Sequence, residues 1–169
     1  MHRWAGVRGW LAVFLAGVSG ACGRSDAPPP NGEWWASVRD SVAGMMADVS
    51  RDLAADGPSA WLRYFEESSS FFMASDGRSV FPTHAAADEA VADLALAFTR
   101  VDIQWIDLRV EPLVPGFAVV GTGYHEILTD TAGGTVEFGG FMTGVARHGP
   151  DGWRLRNLHW SSPVPGSDG

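Results

Sequence analysis

Between residues 33 and 55 the apolar positions fall at Trp35, Val38, Val42, Met45, Met46, Val49 and Leu53. Steps of three and four residues place them on one stripe of an α-helix, and the glycine and proline of "DGP" at 56–58 end it. "PSAWLRYFEE" predicts a second, short helix with Pro58 in its first turn, where the missing N–H leaves no bond unmade. "SSSFFMAS" and "GRSVFP" read as two short strands around the turn Asp76-Gly77. A third helix is predicted through "THAAADEAVADLALAFTR", with Ala87, Val91, Leu94 and Phe98 on its apolar stripe.

Beyond Arg100 the period changes to that of strands. "VDIQWIDLRVEPL" turns at Pro115-Gly116 into "FAVVGTGYHEIL", which turns through "TDTAGG" into "TVEFGGFMTGVAR", and "HGPDG" leads into "WRLRNLHWSSP". Three helices and then an antiparallel meander make an α+β fold. In the first long strand the apolar phase flips at Trp105-Ile106, as at a β-bulge, and a bulge bends the sheet. The expected architecture is a cone-shaped, curved antiparallel sheet whose concave face is covered by the three helices of the N-terminal half.

If Leu128 opposes Thr135 and Arg147 opposes Trp153, one face collects Val120, Thr122, Tyr124, Phe141, Thr143, Val145, Trp153, Leu155, Asn157 and His159. A slip of one residue would invert that face. On this register Asn157 and His159 sit inside the hollow. The convex face then carries Val119, Phe138, Met142, Leu158 and Trp160, an apolar strip of the kind that marks an interface, so a homodimer through the sheet is expected.

The chain of 169 residues suits one domain with accessories. His2, Arg3 and Arg8, the run "WLAVFLAGV" and then "SGAC" follow the pattern of a secretory signal, predicted over residues 1–21. The run is shorter than the ~20 residues of a membrane-spanning helix. Cys22, the only cysteine, resembles the lipid-attachment cysteine of bacterial lipoproteins, although Ser19 stands where a leucine-like residue is usual. A single cysteine cannot form an internal disulfide. Residues 22–32 read as a flexible tether, 33–163 as the folded domain and 164–169 as a loose tail. The protein is therefore expected to be exported and anchored, facing the periplasm or the cell exterior, with Gly23 favouring an outer membrane where one exists. Formal net charge is −8, and cleavage before Cys22 would remove Arg3 and Arg8 but no acidic residue. That balance excludes nucleic acid or an anionic lipid surface as a partner, leaving the lipid as the membrane contact.

The stretches "VPGFAVVGTGYHE", "FGGFMTGVARHGPDGW" and "WRLRNLHWS", in this order of elements, resemble the nuclear-transport-factor-2-like superfamily, and within it SnoaL-like domains. The resemblance covers residues 34–162. It implies a ligand pocket between helices and sheet, dimerisation through the sheet, and either an isomerase, cyclase or dehydratase activity or no catalysis at all. The resemblance implies, for an enzyme, an acid or base in the cone, often an Asp or His, with a Tyr or a second acid as hydrogen-bond donor. The matching candidates are His159 and Tyr124, with Thr122, Thr143 and Asn157 as neutral partners; an imidazole suits proton transfer near neutral pH. His159 also reads as a hydrogen-bonded structural histidine. Glu126 falls on the concave face by alternation but near the strand end, at the rim, while Asp107 and Arg109 read as solvent-facing.

The expected ligand-binding set is Trp61, Tyr64, Trp105, Thr122, Tyr124, Phe141, Thr143, Asn157 and His159, with an apolar or aromatic small molecule as ligand. His84, His125 and His148 have no metal-ligand spacing, and no cofactor is implied. The expected function is an exported, lipid-anchored small-molecule-binding or accessory domain without catalysis. The alternative is an isomerase- or cyclase-type enzyme using His159 and Tyr124.

Overall fold

The computed structural model describes residues 32–163, so the predicted signal peptide, Cys22, the tether before Gly32 and the tail at 164–169 lie outside the described residues. Helix α1 spans Gly32–Asp56 and buries Val38, Val42, Met45, Met46, Val49 and Leu53, the stripe expected from the spacing. It stops at Gly57, whose φ of 71° is left-handed and whose N–H reaches Leu53 O at 3.0 Å. A Cβ at Gly57 would also lie 2.7 Å from Thr99 O, so glycine is required there twice over. The predicted second helix is one 3-10 segment, Pro58–Arg63.

Strands β1 (Phe72–Ser75) and β2 (Arg78–Phe81) form the expected hairpin, and α2 (His84–Ala97) follows, capped by Thr83 Oγ1 accepting from Ala86 N at 3.2 Å. The third helix ends earlier than its apolar stripe suggested. Phe98 is already extended, and Phe98–Val114 is one long strand, β3. Strands β4 (Phe117–Asp130), β5 (Thr135–Gly149) and β6 (Gly152–Ser161) complete the meander. The sheet order is β2-β1-β6-β5-β4-β3, with β1 parallel to β6 and every other pair antiparallel. The fold is α+β, with helices over one face of a six-stranded sheet.

The register of the last two strands is one residue away from the expectation. Leu128 opposes Val136 rather than Thr135, and Trp153 opposes His148 rather than Arg147. The first slip has a local cause. Asp130 Oδ1 accepts from both Ala132 N and Gly134 N at 2.8 Å, drawing the loop into a tighter turn. The second arises because Gly149 pairs with Gly152, leaving only Pro150 and Asp151 in the turn. A further bulge between Leu155 and Asn157 inserts Arg156 and changes the phase of β6 midway.

The core face therefore carries Met142, Ala146, Leu155, Leu158 and Trp160 beside Val120, Thr122 and Tyr124. Phe141, Thr143, Asn157 and His159 are on the opposite, convex face. The bulge of β3 falls between Ile106 and Arg109, later than Trp105-Ile106, with Asp107 at φ 52°. Thr122, opposite it and fully buried, donates its hydroxyl to Ile106 O at 3.0 Å.

The expected convex strip is corrected with the register. Met142 and Leu158 are buried in the core, Trp160 and Phe138 face the cavity described below, and of the five only Val119 belongs to the convex side. The apolar groups actually displayed on that side include Phe72, Ile106 and Phe141, each about half exposed.

At the end of β6 the chain passes so close to β5 that a Cβ on Gly140 would lie 2.0 Å from Ser161 O. That neighbour is backbone, so it cannot rotate away. Gly140→Ala is expected to lower stability by ~1–3 kcal/mol through overpacking, read as a lower midpoint with an unchanged slope in urea unfolding.

Candidate functional site

A cavity of about 420 Å³ opens between the 3-10 helix, α2, the β1–β2 hairpin and the concave side of the sheet. Its walls are rings and alkyl groups: Trp61 and Phe65 from the first half, Phe81 and Phe98 around α2, Phe138 and Trp160 from the sheet. Trp160 is the hub of this arrangement. Its ring meets Tyr124 edge-on at 4.7 Å and Trp61 at 6.0 Å, and leans on Trp105 at 6.2 Å. Its Nε1 is buried among them without a hydrogen-bond partner.

Three groups in this apolar setting carry acid–base chemistry. Glu126, on β4 between Tyr124 and Leu128 of the core face, lines the cavity, and burial alone pushes its carboxyl up to about 7. Tyr124 is likewise raised, mainly by burial, with its contact to the Ser162 side chain opposing the rise. Asp76, at the hairpin turn, is held below the ordinary carboxylate value. Ser162 N donates to its Oδ1 at 2.8 Å, and the Ser162 hydroxyl donates to Oδ2 at 3.2 Å. Asp76 thus closes one wall by tying the end of β6 to the hairpin, while no hydrogen bond or ion pair engages Glu126 among the described residues.

Of the residues expected to bind ligand, Trp61 and Tyr124 line this cavity. Trp105 supports Trp160 from behind and donates its Nε1–H to Met46 O at 2.8 Å. Thr122 is sealed beneath the β3 bulge. Tyr64 is buried elsewhere. Its hydroxyl donates to Asp52 Oδ2 at 2.6 Å, and burial, reinforced by that carboxylate, pushes it up to about 12.

Phe141, Thr143, Asn157 and His159 are on the convex face; Thr143, Asn157 and His159 border a shallow groove there, and Asn157 donates to Ser70 O at 2.9 Å. His159 and Tyr124 are therefore separated by the sheet and cannot act on one molecule in the cavity. For Phe141 and Thr143 the register slip is the reason; on β6 the two slips cancel, and the bulge at Arg156 turns Asn157 and His159 outward. Strand position alone predicts Glu126 at the rim and Asp76 in a turn; the signal for Glu126 is the alternation Thr122, Tyr124, Glu126, Leu128, which sets a carboxyl within a core-facing series.

A second, polar cleft of about 400 Å³ lies between the 3-10 helix and the β5–β6 turn. Its organising group is buried Glu66, paired with Arg147 and 3.7 Å from Arg156 Nε. Glu66 N also donates to Leu155 O at 2.8 Å, so this cluster clamps the segment after the 3-10 helix to β6. Among the described residues no three His, Cys, Asp or Glu side chains gather in a way that could hold a metal ion.

No protein-family model matches the chain, and no protein of curated function matches it in sequence. Solved structures do. A nuclear-transport-factor-2-like superfamily protein from Salmonella enterica serovar Typhimurium LT2 superposes with a TM-score of 0.64 at 16% identity, covering 79% of this chain and 96% of that one. A provisionally assigned scytalone dehydratase from Novosphingobium aromaticivorans gives 0.63 at 12% identity, over 74% and 83%. A hexachlorocyclohexane dehydrochlorinase gives 0.60 at 8% identity, over 76% and 87%. At such identities the likeness is one of fold, and the fold is nuclear-transport-factor-2-like.

Proposed function

We propose that this nuclear-transport-factor-2-like domain, of the SnoaL-like kind, binds a small, mainly apolar molecule in the ring-lined cavity, with Glu126 as its polar anchor. The observation that carries the reading is Glu126 itself. A carboxyl held in an apolar cavity with no partner costs stability, and such groups concentrate at functional sites. The volume of about 420 Å³ suits a ligand of one or two rings. The test is titration with apolar ring compounds, followed by the fluorescence of Trp61 and Trp160. Saturable quenching that Trp61→Ala weakens supports the reading, and the absence of any saturable change overturns it.

The value of about 7 also favours a second reading, proton transfer in an isomerisation or elimination, with Glu126 as base and Tyr124 as hydrogen-bond donor. Two of the similar folds bear dehydratase and dehydrochlorinase names. A rate that climbs as pH rises through about 7, and that Glu126→Gln abolishes without loss of ligand binding, would distinguish catalysis from binding alone.

The domain is proposed to act as an exported lipoprotein, on the strength of "SGAC" after the apolar run. Cys22→Ala should release it from membranes; unchanged association would refute the anchor. A homodimer through the convex face is proposed from Phe72, Ile106 and Phe141, exposed on one sheet surface. Sedimentation at ~100 µM should show a dimer that Phe141→Glu splits, since a standard-sized specific interface is populated at that concentration.

A further inference from the structure

Resting on that reading of the cavity, we propose that its ligand is a lipophilic cation, an ammonium group carried on an apolar body. The first support is what the wall lacks. Neither arginine nor histidine lines the cavity, and the chain has no lysine, yet two carboxylate-bearing residues, Asp76 and Glu126, line it. An anionic ligand would meet Asp76 and, once it ionises, Glu126 as like charges, with no counter-ion in the wall. A neutral ligand would leave Glu126 without a partner whenever it ionises.

A cation answers both conditions. It supplies the missing partner of Glu126, and the aromatic rings of Trp61, Tyr124 and Trp160 line the same space, a setting that favours an ammonium group. The overall charge of −8 steers cations toward the protein.

The groups facing Glu126 make its behaviour simple to read. Tyr124 is on its own strand and Asp76 on the hairpin turn, while α2 contributes Val91 and Leu94 and β5 contributes Phe138. His159 acts on Asp76 only from the convex side. Binding of a permanent cation therefore draws a proton off Glu126 wherever the free protein holds one. The affinity for a quaternary ammonium ion should rise about tenfold per pH unit up to about pH 7 and then level.

The experiment titrates the full chain with benzyltrimethylammonium, its uncharged isostere neopentylbenzene, and phenylacetate, following tryptophan fluorescence between pH 5.5 and 8.5. At pH 8.5 the ammonium ion is expected to bind at least tenfold more tightly than neopentylbenzene, with phenylacetate weakest. Glu126→Gln should cut that preference to threefold or less. If the variant does not fold, the pH profile of the parent decides, and a flat profile for the ammonium ion overturns the proposal. Equal or tighter binding of neopentylbenzene, or preference for phenylacetate, also overturns it while leaving the cavity a small-molecule site. Binding of none of the three removes both readings.

Discussion

Glu126→Gln is expected to make the protein more stable than the parent at pH 8.5, by about 3 kcal/mol, and indistinguishable from it near pH 4. The carboxyl of Glu126 is raised from 4.5 to about 7 by burial, so the folded protein holds a proton that the unfolded chain has released. The sign follows. Below the unfolded value both states are protonated and the burial of a neutral acid is cheap. As pH rises from 4.5 to about 7 the unfolded state gains by ionising while the folded state does not, and stability falls; above about 7 the loss is complete.

At about 1.4 kcal/mol per pH unit, the displacement amounts to about 3 kcal/mol. Glutamine, neutral at every pH and nearly the same shape, mimics the protonated acid and removes the dependence. Asp76 and Asp52 are lowered, so their contributions are present above the ordinary carboxylate range and are lost in acid, below the window in which Glu126 acts. Urea unfolding of parent and variant at pH 4, 5.5, 7 and 8.5 measures the difference directly. A constant gap across that range would place Glu126 in water.

The second large effect is expected at Trp160. Trp160→Ala should cost ~3–5 kcal/mol, because the indole joins the rings of Trp61, Trp105 and Tyr124 and its loss opens a void at their centre. Trp153, half-buried at the start of β6 and touching His148 edge-on at 5.2 Å, should cost only ~1–2 kcal/mol. His159→Leu, at an exposed convex position, should stay within ~0.5 kcal/mol of the parent. The order matters more than the sizes. The register expected from sequence makes Trp153 and His159 core-facing and Trp160 convex; the structure keeps Trp153 on the side of Leu155 but exchanges His159 and Trp160, so chemical unfolding of those two variants distinguishes the arrangements. A His159 loss larger than that of Trp160 would contradict the observed register.

Much of the architecture was legible because its signals are local. The stripe Val38, Val42, Met46, Val49 and Leu53 needs only the helical period, and the meander of four long strands needs only alternation and turn residues. The same locality explains Trp61 and Tyr124, each a large ring in the core-facing phase of its own element. The α+β order of elements, a bulge in β3 and an aromatic interior were thus determined along the chain itself.

Only the tertiary structure decided which face each residue of β5 and β6 presents. Strand pairing is set by turns, and a turn shortened by one residue inverts a whole strand. Here the decisive contacts are the two bonds from Asp130 Oδ1 to its own loop, the closure at Gly149 and Gly152, and the extra residue Arg156. The acid–base character of Glu126 was decided in the same way. Its carboxyl is displaced by burial, and that burial comes from α2 and a hairpin distant in sequence, folded over a strand whose own residues give no sign of what will cover them.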